Sequence, residues 1–323
     1  FKEFWGGDER WDVSGLYRSN GDREIKTRYR QSFARIEGRL LEVLAEYEID
    51  SNSPYYGLGG DTEKEDRRVM QIDTTAVNGA LDINALGSLR FAGKLLFGFN
   101  RLRFAPGTDP ARISLGEDGD SVVPPPGFEE TLNFPRLGVE LRYDTRDRKG
   151  RPTRGTLARL NAALSSDINS ADLNSLRADL TVNQFLQLLP LDRILVLTAG
   201  MGATTPLEED AQVPYQELIT LGRDTFLRGY NRDRFFGRYG WWASAQYQFP
   251  VGEYMNSGVA LQTALFFDTG RIADTPSELF DGSIRYSYGI GLGIAHTSKS
   301  VFSFTLGMSP EGPQFVLAGG LEL

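Results

Sequence analysis

The sequence predicts an all-β fold: a closed antiparallel transmembrane β-barrel with an even number of strands and a long loop folded into its lumen. Three observations carry this. Apolar and polar residues alternate with period two in one segment after another, which puts residues i, i+2 and i+4 on one face of a strand. The connections between segments alternate between longer and tight. Residues 221–240, LGRDTFLRGYNRDRFFGRYG, form a polar, arginine- and glycine-rich connection, far beyond the roughly 2–6 residues usual in compact domains. Such a loop makes sense folded back into a water-filled barrel.

Composition narrows the class. The chain has 323 residues, enough for one large β domain or two ordinary ones, and is read as a single domain over 1–323. No run reaches the roughly 18 apolar residues of a membrane-spanning helix, but a barrel needs none, because only alternate residues face lipid. The 20 Phe, 13 Tyr, four Trp and 36 Gly suit aromatic girdles and a curved sheet. A net charge of −8 argues against nucleic acid as a partner. The chain opens at Phe1 with no signal-peptide pattern, as a mature or trimmed form does.

In chain order, Trp11, Val13 and Tyr17 alternate with Asp12, Ser14 and Arg18, and Lys26, Arg28 and Arg30 oppose Tyr29 and Phe33. Residues 34–49 fit either an amphipathic helix or a strand with a phase slip near Leu40–Leu41. Strand is preferred because both neighbours read as strands. Residues 69–83 alternate only roughly. Leu89, Phe91, Leu95, Phe97 and Phe99 then oppose Arg90, Lys94 and Asn100, and residues 106–131, with Pro124-Pro125-Pro126, form a long exposed loop. Leu137, Val139, Leu141 and Tyr143 oppose Arg136, Glu140, Arg142 and Asp144. Leu160 and Leu164 oppose Arg159 and Asn161, Leu176, Leu180, Val182 and Leu186 oppose Arg177, Asp179, Thr181 and Asn183, and residues 193–203 form a weaker strand.

Beyond the arginine loop the pattern sharpens. Tyr247 and Phe249 oppose Gln246 and Gln248, Leu265 and Phe267 oppose Phe266 and Asp268, and Tyr286, Tyr288, Ile290 and Leu292 oppose Ser287 and a row of glycines. Phe302, Phe304 and Leu306 follow, and residues 315–323 close the chain. About fourteen segments are legible, most of the roughly 9–11 residues a tilted membrane strand needs. Connections after 49, 105, 168, 203 and 268 read as longer and those after 33, 84, 147 and 189 as tight, the outer-membrane arrangement. A soluble sandwich also alternates. Small residues on the polar face and aromatics crowding the apolar one favour the barrel.

Three stretches resemble the BamA/TamA-like superfamily of outer-membrane assembly and translocation barrels, the bacterial surface antigen barrel domain. Leu227-Arg228-Gly229-Tyr230 is similar to the family's Val-Arg-Gly-Phe/Tyr tip of the loop that re-enters the lumen. Tyr143-Asp144-Thr145-Arg146-Asp147, with Pro152-Thr153 and Gly155, is similar to its periplasmic turn. Leu265-Phe266-Phe267-Asp268-Thr269-Gly270 is similar to the strand with which the loop arginine pairs.

The resemblance implies that Arg228, Gly229 and Tyr230 brace the lumen against Asp268. That carboxylate falls on the polar face of its strand and is open to a bidentate, charge-assisted pair. The family's second acidic partner is replaced here by Gln246, which accepts a hydrogen bond without charge. The bland alternative makes Arg228 one of many luminal arginines. Gly319 and Gly320 in the last strand weaken its pairing, which resembles the family's lateral seam and equally fits an ordinary barrel curve. The family barrel has sixteen strands.

What the resemblance implies about function is an integral outer-membrane barrel aiding insertion or translocation of proteins. Its expected partners are outer-membrane lipid and unfolded outer-membrane or secreted clients. Nothing before residue 20 has room for a periplasmic polypeptide-binding repeat. The alternatives are a passive pore, or a membrane anchor for an N-terminal passenger such as a patatin-like lipase. No enzyme, cofactor or metal is expected. The lone His296 has no cysteine to pair with, and no phosphate-cradling loop occurs in a strand–turn–helix setting.

Overall fold

The computed structural model describes residues 9–18, 21–32, 40–83, 90–117, 120–149, 152–169, 172–189, 193–208, 211–223, 226–254, 259–296 and 299–319. Fourteen strands form one antiparallel sheet in which each pairs with its neighbours in order. The first nine are β1 (Glu9–Tyr17), β2 (Arg23–Ser32), β3 (Leu40–Tyr55), β4 (Arg68–Ile83), β5 (Phe91–Pro106), β6 (Thr131–Asp144), β7 (Gly155–Ser166), β8 (Asn174–Leu188) and β9 (Arg193–Thr205). Two short strands, β10 (Ile219–Leu221) and β11 (Phe235–Gly237), pair with each other outside that sheet, and Phe236 of β11 also bridges to Gly59. The sheet resumes with β12 (Tyr239–Tyr254), β13 (Val259–Ala273), β14 (Arg285–His296), β15 (Lys299–Ser309) and β16 (Gly312–Gly319). The arginine loop thus carries a small hairpin of its own, where the sequence suggested irregular chain.

The strands are longer than the alternation implied: β3, β4, β5 and β12 each have 16 residues. Alternation marks only the stretch whose two faces meet different media. At the start of β4, Val69 and Met70 are both buried, and the N–H groups of Gly107 and Leu115 both donate to the Val69 carbonyl. The long β5–β6 connection covers that end of the sheet, so the pattern lapses there.

Residues 33–39 lie outside the described residues, but Leu40 onward is strand. The expected slip at Leu40–Leu41 is not found. The ladder runs unbroken from Ser32↔Leu40 to Arg23↔Ile49, and the register shifts between Asp50 and Ser53 instead. The longest connections, 56–67, 107–130, 206–238 and 274–284, share one end of the sheet because every strand reverses direction. The opposite end is not uniformly tight: the β6–β7 connection, 145–154, is longer than the 167–173 connection at the far end.

One face of the sheet exposes large apolar side chains, among them Phe97, Phe99, Leu137, Leu141, Leu265, Phe267, Tyr286 and Tyr288. A sandwich would bury that face. The other face is not polar throughout, as the sequence implied. Near the long connections it holds a packed cluster of Tyr55, Met70, Phe104, Leu132, Phe134 and Tyr215, beside a second of Ile219, Leu221, Leu227, Tyr230, Phe235, Trp242 and Ile272. Away from them it carries ion pairs such as Lys26–Glu46 at 2.7 Å and Arg28–Glu42 at 3.1 Å.

The sheet is rolled. Lys64, between β3 and β4, donates from Nζ to the carbonyl of Glu311, between β15 and β16, at 2.7 Å, although eight strands lie between β4 and β15 in the sheet. Among the described residues no ladder joins β1 to β16.

Candidate functional site

The connection between β9 and β12 lies as a strap across the inner face, and its tip meets four consecutive strands. Register sets up the receiving surface. Ser244 of β12 stands opposite Asp268 of β13, which stands opposite Ser287 of β14. The next row is Gln246, Phe266 and Gly289, continuing to Gly307 of β15. Period-two alternation points all of these to the face the strap covers.

Arg228 takes hold of both rows. Its Nε and Nη2 donate to Asp268 Oδ2 and Oδ1 at 2.9 and 2.7 Å, the two-pronged geometry that makes arginine–carboxylate pairs strong. Its backbone N–H adds a third bond to Asp268 at 3.1 Å. Nη1 donates to Gln246 Oε1 at 2.6 Å, and Nη2 reaches Ser244 Oγ at 3.2 Å. The guanidinium lies 3.7 Å from the centre of the Phe266 ring, within cation–π range. Asp268 is 1% exposed and Arg228 27%, so the carboxylate is out of water and depends on its partners. Ser244 and Ser287 also donate to it, at 2.7 and 3.4 Å.

The tip fits because two glycines meet. A Cβ on Gly229 would fall 2.5 Å from the Met308 carbonyl oxygen, and one on Gly307 would fall 2.5 Å from that of Arg228. Backbone lies on backbone here, and no side chain can be inserted. Leu227, before the arginine, holds a positive φ of 65° and is fully buried. Tyr230 closes the turn by donating its N–H to the Leu227 carbonyl at 2.9 Å, and its ring packs edge-on against Phe235.

A second arginine fastens the strap at the long-connection end. Arg234 has no exposed surface. Nε donates to both carboxylate oxygens of Glu311 at 2.9 and 3.0 Å, and Nη1 and Nη2 donate to Thr62 Oγ1 and the Thr62 carbonyl at 2.7 and 2.8 Å. Tyr56 and Phe235 flank the guanidinium at 4.3 and 4.5 Å. One side chain therefore ties together the β3–β4 connection, the strap and the β15–β16 turn. Sequence reasoning missed it, since nothing local separates Arg234 from Arg223, Arg232 or Arg238. Phe266, Ser244 and Ser287 were missed as partners because only register brings them beside Asp268. Their phase alone was visible.

The turn motif sits at the other end of the sheet. Arg146 donates from Nε and Nη2 to the two oxygens of Asp144, both at 2.9 Å. Asp147 accepts from the Thr153 N–H at 2.9 Å, the Thr153 hydroxyl at 2.7 Å and the Arg154 N–H at 3.3 Å. Burial opposes ionisation of Asp147, but these hydrogen bonds prevail and hold its carboxyl at about 2. Gly155 has φ +109°, and a Cβ there would fall 2.4 Å from the Thr145 carbonyl oxygen. Gly155→Ala is expected to cost about 1–3 kcal/mol, read as an earlier urea midpoint with unchanged slope. A midpoint like wild type would show that the turn relaxes freely.

At the last strand, Gly319 pairs with Phe302, and Gly320 lies outside the described residues. β16 has only eight residues and contains Pro313, which has no N–H to donate. The backbone of His296 pairs with Val259 and Lys299. Among the described residues no cluster of three or more His, Cys, Asp or Glu is placed to hold a metal ion.

Residues 130–309, more than half of the chain, match the Omp85 superfamily domain. The fold is similar to that of BamA from Haemophilus ducreyi lacking POTRA domains 1–3, with a TM-score of 0.70 and 15% identity over 98% of this chain and 65% of that one. It is also similar to CdiB from Escherichia coli, with a TM-score of 0.62 and 13% identity over 99% of this chain and 56% of that one. The chain thus spans less than two thirds of either. No curated protein matches it in sequence.

Proposed function

The chain belongs to the Omp85 superfamily and is an integral outer-membrane protein, and from that premise we propose that it aids the insertion or translocation of other proteins at that membrane. In this reading the rolled sheet closes into a single barrel, the exposed aromatic face meets lipid, the short connections face the periplasm, and the strap lies in the lumen. Its clients are unfolded outer-membrane or secreted proteins.

The observation that supports it best is where the strap holds. Its tip is fastened to β12, β13, β14 and β15, and these lead to the eight-residue β16, whose far edge carries no ladder among the described residues. The wall is stiff up to its weakest strand, so an opening would concentrate there, as admission of a client strand between β16 and β1 requires. Depleting the protein and quantifying the folded population of other outer-membrane proteins tests this. That population is expected to fall. Unchanged levels would leave the pore reading, which steady conductance in a planar bilayer would support.

A further inference from the structure

The outward face of the sheet carries a groove of about 420 Å³ at the short-connection end, lined by Phe91, Gly93, Leu141, Tyr143, Ala158 and Leu160 among others. Register explains why it exists. Gly93, Leu141 and Leu160 form one row across β5, β6 and β7, and Phe91, Tyr143 and Ala158 form the next. Each row lacks a large side chain at one end, Gly93 in the first and Ala158 in the second, so a trough remains between the bulky residues. The rings of Phe91 and Tyr143, 4.8 Å apart, wall one side. They are the last outward residues of their strands before the short connections, the level at which aromatic girdles meet headgroups.

Immediately beyond lies the β6–β7 connection, where positive charge is in surplus. Asp144 is occupied by Arg146, and Asp147 by Thr153 and the Arg154 N–H. Arg148, Lys149 and Arg154 are exposed. Arg148 has only a loose 3.9 Å contact with Asp147, with its side chain 71% exposed. An apolar trough that ends at a pair of aromatic rings, next to a connection bearing three exposed cations, has the layout of an acyl chain and its phosphate.

We propose that this groove holds one acyl chain of an anionic phospholipid from the leaflet on the short-connection side, with the headgroup phosphate held by Arg148, Lys149 and Arg154. Guanidinium groups suit phosphate oxygens because they donate in a fork, and basic residues at a membrane surface draw anionic lipid. The inference rests on the membrane reading above but not on client handling.

Native mass spectrometry of the purified chain, offered phosphatidylglycerol and phosphatidylcholine with identical acyl chains, tests it. Wild type is expected to retain one phosphatidylglycerol several-fold more readily than phosphatidylcholine. Ala158→Leu, which fills the groove, is expected to lose retention of both lipids. R148E/K149E/R154E is expected to lose the preference for phosphatidylglycerol. Its changes lie on exposed side chains of a turn, so it tests the headgroup half even if the filled groove disturbs folding. Equal retention of the two lipids by wild type, or retention untouched by either variant, would overturn the proposal. A chain that fails to partition into vesicles at all would overturn the membrane reading instead.

Discussion

Arg228→Ala is expected to destabilise the folded protein by about 3 kcal/mol, the lower end of what removing one partner of a buried ion pair costs. The figure follows from what is left behind. Asp268, 1% exposed in the intact protein, keeps Ser244, Ser287 and the backbone N–H of residue 228 but loses both guanidinium bonds. Gln246 loses its donor and Phe266 its cation. Arg228→Lys is expected to fall between, because an ammonium cannot reach Asp268 as a fork while also donating to Gln246. In Arg228→Ala/Asp268→Asn the stranded charge is gone, so the double variant is expected to be less damaged than the two single losses added together. Urea titration in detergent, followed by heat-modifiable gel mobility, measures all four variants, Asp268→Asn alone included. A loss below about 1 kcal/mol in Arg228→Ala, within the range of an exposed pair, would mean that the strap is held elsewhere.

Arg234→Ala is expected to act as strongly but on a different part of the molecule. Its guanidinium joins Glu311, Thr62 and two aromatic rings with no access to water. Truncation removes the strongest tie of the β3–β4 connection to the strap, leaving the Gly59 N–H on the Phe236 carbonyl, the Asn231 amide on the Tyr56 hydroxyl, and Lys64 on the Glu311 carbonyl of the β15–β16 turn. A loss of about 3 kcal/mol in this fastening corresponds to on the order of a hundredfold more open connection. Limited trypsinolysis reads that directly as faster cleavage after Lys64 and Arg67, with the sheet still protected. Cleavage at the wild-type rate would show that the remaining hydrogen bonds and aromatic packing close this end without Arg234.

The fold was legible wherever a strand separates two media. Leu137, Val139 and Leu141 in β6, or Leu265 and Phe267 in β13, alternate cleanly because one side meets exposed surface and the other the inner face. Alternation failed at Val69 and Met70, where protein lies against both sides. The clasp was partly legible: Arg228, Asp268 and Gln246 could be named from their motif and phase. Their company could not, since Phe266, Ser287 and Gly307 reach the tip only through pairings across four strands. Arg234 left no trace in the sequence, because its partners lie 172 and 77 residues away in two different turns. The slip placed at Leu40–Leu41 belongs between Asp50 and Ser53, near the long-connection end of β3, where apolar spacing carries no information about register.

The tie between Lys64 and Glu311 spans 247 residues of chain, and it has a consequence for timing. Neither end of the polypeptide can complete this junction alone, so the β3–β4 connection waits until the β15–β16 turn arrives. Contacts between such distant points demand a large loss of chain freedom before they return any stability. The Arg234 fastening, which needs Thr62 and Glu311 from those same two segments, therefore belongs among the last pieces to settle, acting as a latch thrown after the walls are up.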